Sequence, residues 1–585
     1  MIMKRFAAAL LLASGALFLA SQTPIDLAAQ DAKSDKAAML KKFLERKAAR
    51  AKAEADAEKA KAEAEKAKVE TNKPTPEVVK MSPAETSAAK PMDAKAVAKF
   101  IDAQINQELA VAKLDSSSRS SDAEFIRRVS LDITGVIPTA ERVGSFLASS
   151  DPNKRALLVD EMLQSPKYGQ RLADIWTNQM LPMDSALRYT GKDPLVKYMV
   201  DTFNANKPWD RMAHEIISAS GDQDKNGAVT YYMFNAGVDK MTDSVGKLFL
   251  GVQIQCAQCH NHPFTTWKQT EYWGMAQFFY NVSVTIQKNN KQVDIIPGVV
   301  ENSRASRRGN PLPESAKTVP AKFLGGDLAT LNSSKPYRPV LADWLCTAEN
   351  PFFSKSMVNR VWAQYMGRGL VNPIDDLSDE NPASHPELLK GLAKEFANGG
   401  FDLKNLVRAI CLSDAYQRSS VPTPNNKADT VLYSHMAIKV LTPEQLFDSL
   451  AAVVGTPTAD AGRGMGKPLN KGSNSPRDRF VAFFMGTENA KATDYEAGIP
   501  QALRLMNNQK LSSSSSLVSQ LVQSKAKPAE AINKLYLTAV ARKATEAEVE
   551  KLTGYIVQGE SSDPKAPLSD ILWALLNSSE FALNH

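Results

Sequence analysis

The chain has 585 residues, 43% hydrophobic and 23% charged, which is ordinary globular usage and excludes both a chain disordered throughout and a polytopic membrane protein. Its 71 basic and 64 acidic residues leave a formal charge of +7, too diffuse at this length to mark a nucleic-acid binder. Four cysteines are too few for a disulfide-stapled scaffold.

At the N-terminus, Lys4 and Arg5 precede an apolar run from Phe6 to Leu19, and small residues follow, with Ala28-Ala29 or Ala20-Ser21 as cleavage sites. The run is shorter than the roughly 20 residues of a bilayer span, so residues 1–29 are expected to be a secretory signal. An uncleaved anchor is the alternative, and only then does the protein touch a membrane. On both readings the body is exported, to the periplasm or cell envelope. Residues 30–95 shift to Ala, Lys and Glu, which favour helix and form i,i+4 pairs. Beyond Met39, Leu40, Phe43 and Leu44 this stretch has little to bury, so it reads as a low-complexity helical or disordered spacer. Thr71 to Pro91 reads as a linker.

From there the pattern is helical. Ala96 to Leu114 carries apolar residues at helical spacing, and Ser121-Asp122-Ala123-Glu124 has the form of a capping box. Gly135 to Pro138 breaks the second helix, and Thr139 caps a third. Asp151-Pro152 opens a fourth, which Ser165-Pro166 ends. Strand runs are few; Val293 to Val300 is the best, weakened by Pro297. The fold class is therefore mainly α: two packed helical domains, 96–285 and 336–585, joined by a long irregular connection over 286–335 with room for a hairpin. Thr456 to Pro476 reads as a surface loop and Ser512 to Ser516 as a loop leading into a helix.

The chemistry concentrates in Cys256-Ala257-Gln258-Cys259-His260-Asn261-His262-Pro263-Phe264. A C-x-x-C-H motif is the attachment pattern of c-type haem, in which two thiols join the porphyrin and the adjacent imidazole, here His260, becomes the proximal iron ligand. His262, Met275, Met241 and Met233 are candidate second ligands, and Trp267, Tyr272, Trp273, Phe278, Phe279 and Tyr280 offer aromatic surface. Zinc is a second reading, with Cys256, Cys259 and His262 or His260 and a fourth ligand from elsewhere. A Cys256–Cys259 disulfide is a third. Later in the chain, Arg360, Asp375, Asp376, Asp379, Glu380 and His385 form the densest polar group and are candidates for acid–base or metal chemistry. The structural reading of that group is loop capping, with Ser384 capping a helix from Pro386. Cys346 and Cys411 read as buried thiols, bridged only if their Cα atoms lie within about 7 Å.

Several long stretches carry a family resemblance. Phe125-Ile-Arg-Arg-Val-Ser-Leu-Asp-Ile-Thr-Gly, Phe249-Leu-Gly-Val-Gln-Ile-Gln-Cys-Ala-Gln-Cys-His-Asn-His-Pro-Phe and Tyr272-Trp-Gly-Met-Ala-Gln-Phe-Phe resemble the planctomycete cytochrome-like domain, domain of unknown function fifteen-forty-nine. Asn359-Arg-Val-Trp-Ala-Gln-Tyr-Met-Gly-Arg-Gly, Ser384-His-Pro-Glu-Leu-Leu, Gln501-Ala-Leu-Arg-Leu-Met-Asn and Leu572-Trp-Ala-Leu-Leu-Asn-Ser-Ser-Glu-Phe resemble its usual partner, number fifteen-fifty-three. The resemblance implies a large exported protein and no established reaction. The expectation is an exported c-type-haem-like protein in electron transfer or haem-dependent redox chemistry, with an unidentified redox or envelope partner and no nucleic acid. The alternatives are an envelope scaffold with a structural zinc or disulfide site, and a hydrolase using the acidic loop after Asp375.

Overall fold

The computed structural model describes residues 93–182, 191–288, 295–301, 313–454, 475–484, 515–559 and 563–585. The chain divides into two units, Met1–Ser87 and Ala88–His585. The first unit, with the expected signal and most of the spacer, lies outside the described residues, as does most of Thr456–Pro476.

Local chemistry sets the helix boundaries. The Asp93 carboxylate accepts from Ala96 N at 2.7 Å and opens the helix Ala94–Ala112, which buries Val97, Ile101, Ile105 and Leu109 at helical spacing. Ser121 Oγ accepts from Glu124 N at 3.1 Å ahead of Asp122–Thr134, and Gly135, at φ +74°, closes that helix in the left-handed conformation glycine favours. Thr139 caps Ala140–Ala148 as expected. Two boundaries differ. Asp151 does not open a helix; its carboxylate accepts from Asn153 N at 2.7 Å in a turn, and the helix runs Lys154–Gln164. Ser384 does not cap Pro386–Asn398, because its Oγ is turned to His385 Nδ1 at 3.0 Å and its N–H donates to Leu370 O at 2.7 Å.

Every residue from Phe125 to Thr134 is buried, because this helix lies between two hydrophobic cores. Phe125, Ile126, Val129 and Ile133 join a core running from Ala94 to Met436, while Leu131, Val136 and Ile137 join one built mainly from Leu441 to Phe581. The mainly α class stands, as do the two helical regions on either side of an irregular connection. The regions share the first core, however: Leu341, Phe353, Met357 and Trp362 pack in it beside Trp209, Phe249 and Tyr272. Trp209 lies 4.7 Å from Trp176, 5.8 Å from Phe249 and 6.2 Å from Phe353, ring centre to ring centre, so aromatic stacking adds to burial across the two regions.

The connection contains a hairpin. Strands β1 (Gly221–Asp222), β2 (Val282–Lys288) and β3 (Ile295–Glu301) form an antiparallel sheet in the order β1-β3-β2, with Val284 opposite Val299 and Ile286 opposite Pro297. At the end of β3, Glu301 accepts from Arg338 Nε at 2.9 Å, and both side chains are buried. Arg338 also donates to Ala219 O at 2.7 Å, which anchors the second helical region to the sheet.

A second junction lies on the helix Asp122–Thr134, between the two cores. Arg127 donates to Phe581 O at 2.8 Å and Glu580 O at 3.0 Å. Arg128 pairs with Glu124 at 2.5 Å and donates to Tyr416 O at 2.6 Å and Arg418 O at 2.9 Å. Asp132 accepts from Lys439 at 2.7 Å, from Tyr416 Oη at 2.8 Å and from Asn584 Nδ2 at 2.8 Å. Lys439 and Asn584 belong to a small antiparallel sheet of β4 (Lys439–Val440) and β5 (Leu583–Asn584). Among the described residues no helix is long and apolar enough to cross a membrane.

Candidate functional site

The Cys256–His260 motif is delivered by a helix that changes pitch. Val238–Val245 buries Val238, Met241 and Val245, and runs on as a π-helical turn, Gly246–Leu250, that buries Leu248, Phe249 and Leu250. Gly251, at φ +67°, reverses the chain, and Val252 N donates back to Gly246 O at 3.0 Å. A side chain at Gly251 would meet Leu377 Cδ1 and Ser356 Oγ at 2.9 Å, so glycine answers both the backbone angle and the close approach.

Next comes a 3₁₀ turn, Gln255–Gln258. With three residues per turn, positions i and i+3 eclipse, so Cys256 and the C-capping Cys259 share one side of the turn. Ala257 points the other way and is fully buried. Both thiols are free and exposed. From below, the helix Gln269–Ala276 holds the turn: Trp273 Nε1 donates to Gln258 O at 3.0 Å, and Gln269 Nε2 donates to Gln258 O at 3.1 Å and Cys259 O at 2.9 Å. Asn261 Oδ1 accepts from Gln269 N at 3.0 Å. Sequence reasoning passed over Gln253, Asn261 and Gln269, since a glutamine or asparagine in a polar loop carries no local signal.

The two histidines differ in which nitrogen is free. His260 Nδ1 lies 2.7 Å from Asn261 O, and because a carbonyl only accepts, Nδ1 carries the proton. The lone pair of His260 is therefore at Nε2, on an exposed ring that follows Cys259 in the chain. His262 is the reverse. Its Nδ1 accepts from Phe264 N at 3.2 Å and Thr265 N at 3.1 Å, so its proton sits on Nε2. Phe264 is 78% exposed beyond it. Among the described residues no group of three or more His, Cys, Asp or Glu side chains converges to hold a metal ion.

Met275, Met241 and Met233 are all buried in the first core, as are Tyr272, Trp273, Phe278 and Phe279. Trp267 is half-buried, 6.1 Å from the Phe352 ring. Under the motif, burial pushes Asp243 up to about 6, and burial beside Asp243 and Asp239 pushes the Tyr272 hydroxyl well above its ordinary value.

The second polar group does not assemble as one cluster. His385 is buried 5.4 Å from the Tyr433 ring, and burial pulls its imidazole down to about 4. Asp379 and Glu380 are exposed, and Asp376 is half-buried. Asp375 points elsewhere: its carboxylate accepts from Gln253 Nε2 at 2.8 Å, while Leu377 N donates to Gly251 O at 2.8 Å. Arg360, 8% exposed, donates to Lys247 O and to Gln179 Oε1, and its Nε has no partner. Arg360 and Asp375 thus belong to the surroundings of the motif. Cys346 and Cys411 are free thiols.

Residues 100–284 match PSCyt2, a protein of unknown function (DUF1549), and residues 337–495 match PSD1, a protein of unknown function (DUF1553). No curated protein and no solved structure matches the chain. The two matches occur in the order in which the motifs were read and together span more than half of the chain, which therefore belongs to the proteins that pair a PSCyt2 domain with a PSD1 domain.

Proposed function

We propose that this is an exported c-type-haem-like protein that exchanges electrons with a partner in the cell envelope. One observation carries the reading: two free, exposed thiols share one side of a 3₁₀ turn, and the adjacent imidazole holds its proton on Nδ1 against a backbone carbonyl, leaving Nε2 to ligate. Metal-binding histidines are commonly oriented in this way by their second nitrogen. Cys256 and Cys259 would hold the porphyrin through thioethers, each thiol adding its S–H across a vinyl group with no change of oxidation state. His260 Nε2 would face the iron. Haem held there supplies a one-electron couple. The buried Ala257 and the Gln269 and Trp273 hydrogen bonds keep the turn from reorganising. The name of the PSCyt2 family points the same way. Zinc through His262 is less well supported, because in this geometry its Nδ1 lone pair already serves two backbone N–H groups.

Expression with a cytochrome c maturation system tests this. The expected product is coloured protein whose colour survives acid–acetone extraction and denaturing electrophoresis. Cys256→Ala with Cys259→Ala should abolish attachment, and His260→Ala should keep it while altering the iron spectrum. Colourless wild-type protein with stoichiometric zinc would replace haem by the scaffold reading.

A further inference from the structure

The PSD1 half contributes directly to the surroundings of the motif, through contacts that neither family match describes. Three of them converge on the segment just ahead of Cys256, two on its backbone and one on the Gln253 side chain. Arg360 donates to Lys247 O in the π-helical turn, Leu377 N donates to Gly251 O at 2.8 Å, and Asp375 accepts from Gln253 Nε2 at 2.8 Å. All three second-half residues lie at least 100 positions from the motif in sequence. The approach is close enough that Gly251 has no room for a side chain against Leu377 and Ser356.

The charges here are held without direct pairing to a carboxylate, as the buried guanidinium of Arg127 also is. A buried guanidinium normally meets a carboxylate at hydrogen-bond distance, because an uncompensated charge is costly to bury. Arg360 is 8% exposed, and its two hydrogen-bond partners are a backbone carbonyl and an amide oxygen. Its Nε has no partner, and the carboxylate that feels it, Asp375, is engaged by Gln253. The fold therefore keeps a positive and a negative charge apart, each tied to the segment that delivers the motif.

Resting on the haem reading, we propose that Arg360 and Asp375 are positioning residues for the group held at Cys256, Cys259 and His260: they fix the backbone that presents the motif and act on the cofactor's charge with opposite signs. A positive charge nearby favours the reduced iron, and a negative charge the oxidised iron.

Two measurements test it. In a redox titration of the haem-loaded protein, Arg360→Met should move the reduced-to-oxidised ratio at fixed potential about tenfold toward oxidised, ~59 mV for a one-electron couple. Arg360→Lys should restore most of the shift. Asp375→Asn keeps an oxygen acceptor for Gln253 and should move the ratio severalfold the other way, which preserves the test if Arg360→Met folds poorly. Unchanged ratios in both charge-removing variants, with haem attached, overturn the electrostatic claim. In apoprotein, tryptic cleavage after Lys247 should be several times faster in Arg360→Met than in wild type, and equal rates overturn the positioning claim. Wild type that takes no covalent haem would sink the electron-transfer reading and the electrostatic claim with it, and the proteolysis would still decide the positioning.

Discussion

At Arg127, Arg128 and Asp132 the first half of the chain meets its last residues, and at Gly251 and Gln253 it meets the loop of Asp375 and Leu377. The first junction is densely bonded, although the buried Arg127 Nε and Asn584 Oδ1 there have no partner. Arg128 has an acid at 2.5 Å and two carbonyls within 2.9 Å, and Asp132 takes an ammonium, a phenol and an amide. The second is open to solvent: both motif thiols are free and exposed, and His260 makes one local hydrogen bond. Buried charges that find partners within the chain hold the fold together. Polar groups left open around a reactive motif are what a cofactor site requires.

The most direct way to break this comparison is at the densely bonded junction. Asp132→Ala leaves the Lys439 ammonium buried without its carboxylate, and loss of one partner of a buried pair costs about 3–5 kcal/mol. Urea denaturation should show that loss; a change under 1 kcal/mol would mean the junction holds little of the fold.

A smaller effect follows from His385. Its folded pKa of about 4 lies below the ordinary histidine value of 6.5, so between those values the unfolded chain binds more protons and stability falls as pH falls. The contribution is complete above about pH 6.5 and lost toward pH 4, on the order of 3 kcal/mol. The difference in unfolding free energy between wild type and His385→Phe should vary with pH across that window; a flat difference would mean that burial does not hold this imidazole neutral.

The smallest effect is expected at the open site. In apoprotein made without haem maturation, Cys256→Ser with Cys259→Ser should change stability by less than about 0.5 kcal/mol, since both thiols are exposed and unbridged. A loss above 2 kcal/mol would show that the pair is structural, as a zinc or disulfide scaffold requires.

Much of this was legible residue by residue. Ser121 and Thr139 cap helices because a hydroxyl three positions before an unsatisfied N–H needs only local geometry. Ser384 looked the same and caps nothing, because its hydroxyl is turned to His385 Nδ1 while Leu370 O holds its backbone N–H. Met275 and its aromatic neighbours read as core with cofactor lining as the alternative, since helical spacing says which face is apolar and not what covers it. The polar group from Arg360 to His385 was detected but misgrouped: nearness in sequence joined His385 to Asp375, whereas the fold sends one to Tyr433 and the other to Gln253.

The helical class, the main helix boundaries and the spacing of Cys256, Cys259 and His260 follow from the sequence alone, because caps, apolar periodicity and motif spacing act over a few residues. Only the tertiary structure decided that the two helical regions share a core, that His260 and not His262 has its Nε2 lone pair free, and that Arg360 and Asp375 bind the segment ahead of the motif. Those outcomes depend on which backbone carbonyl or amide lies against each polar group once the chain has closed, and such contacts leave no periodic trace along it.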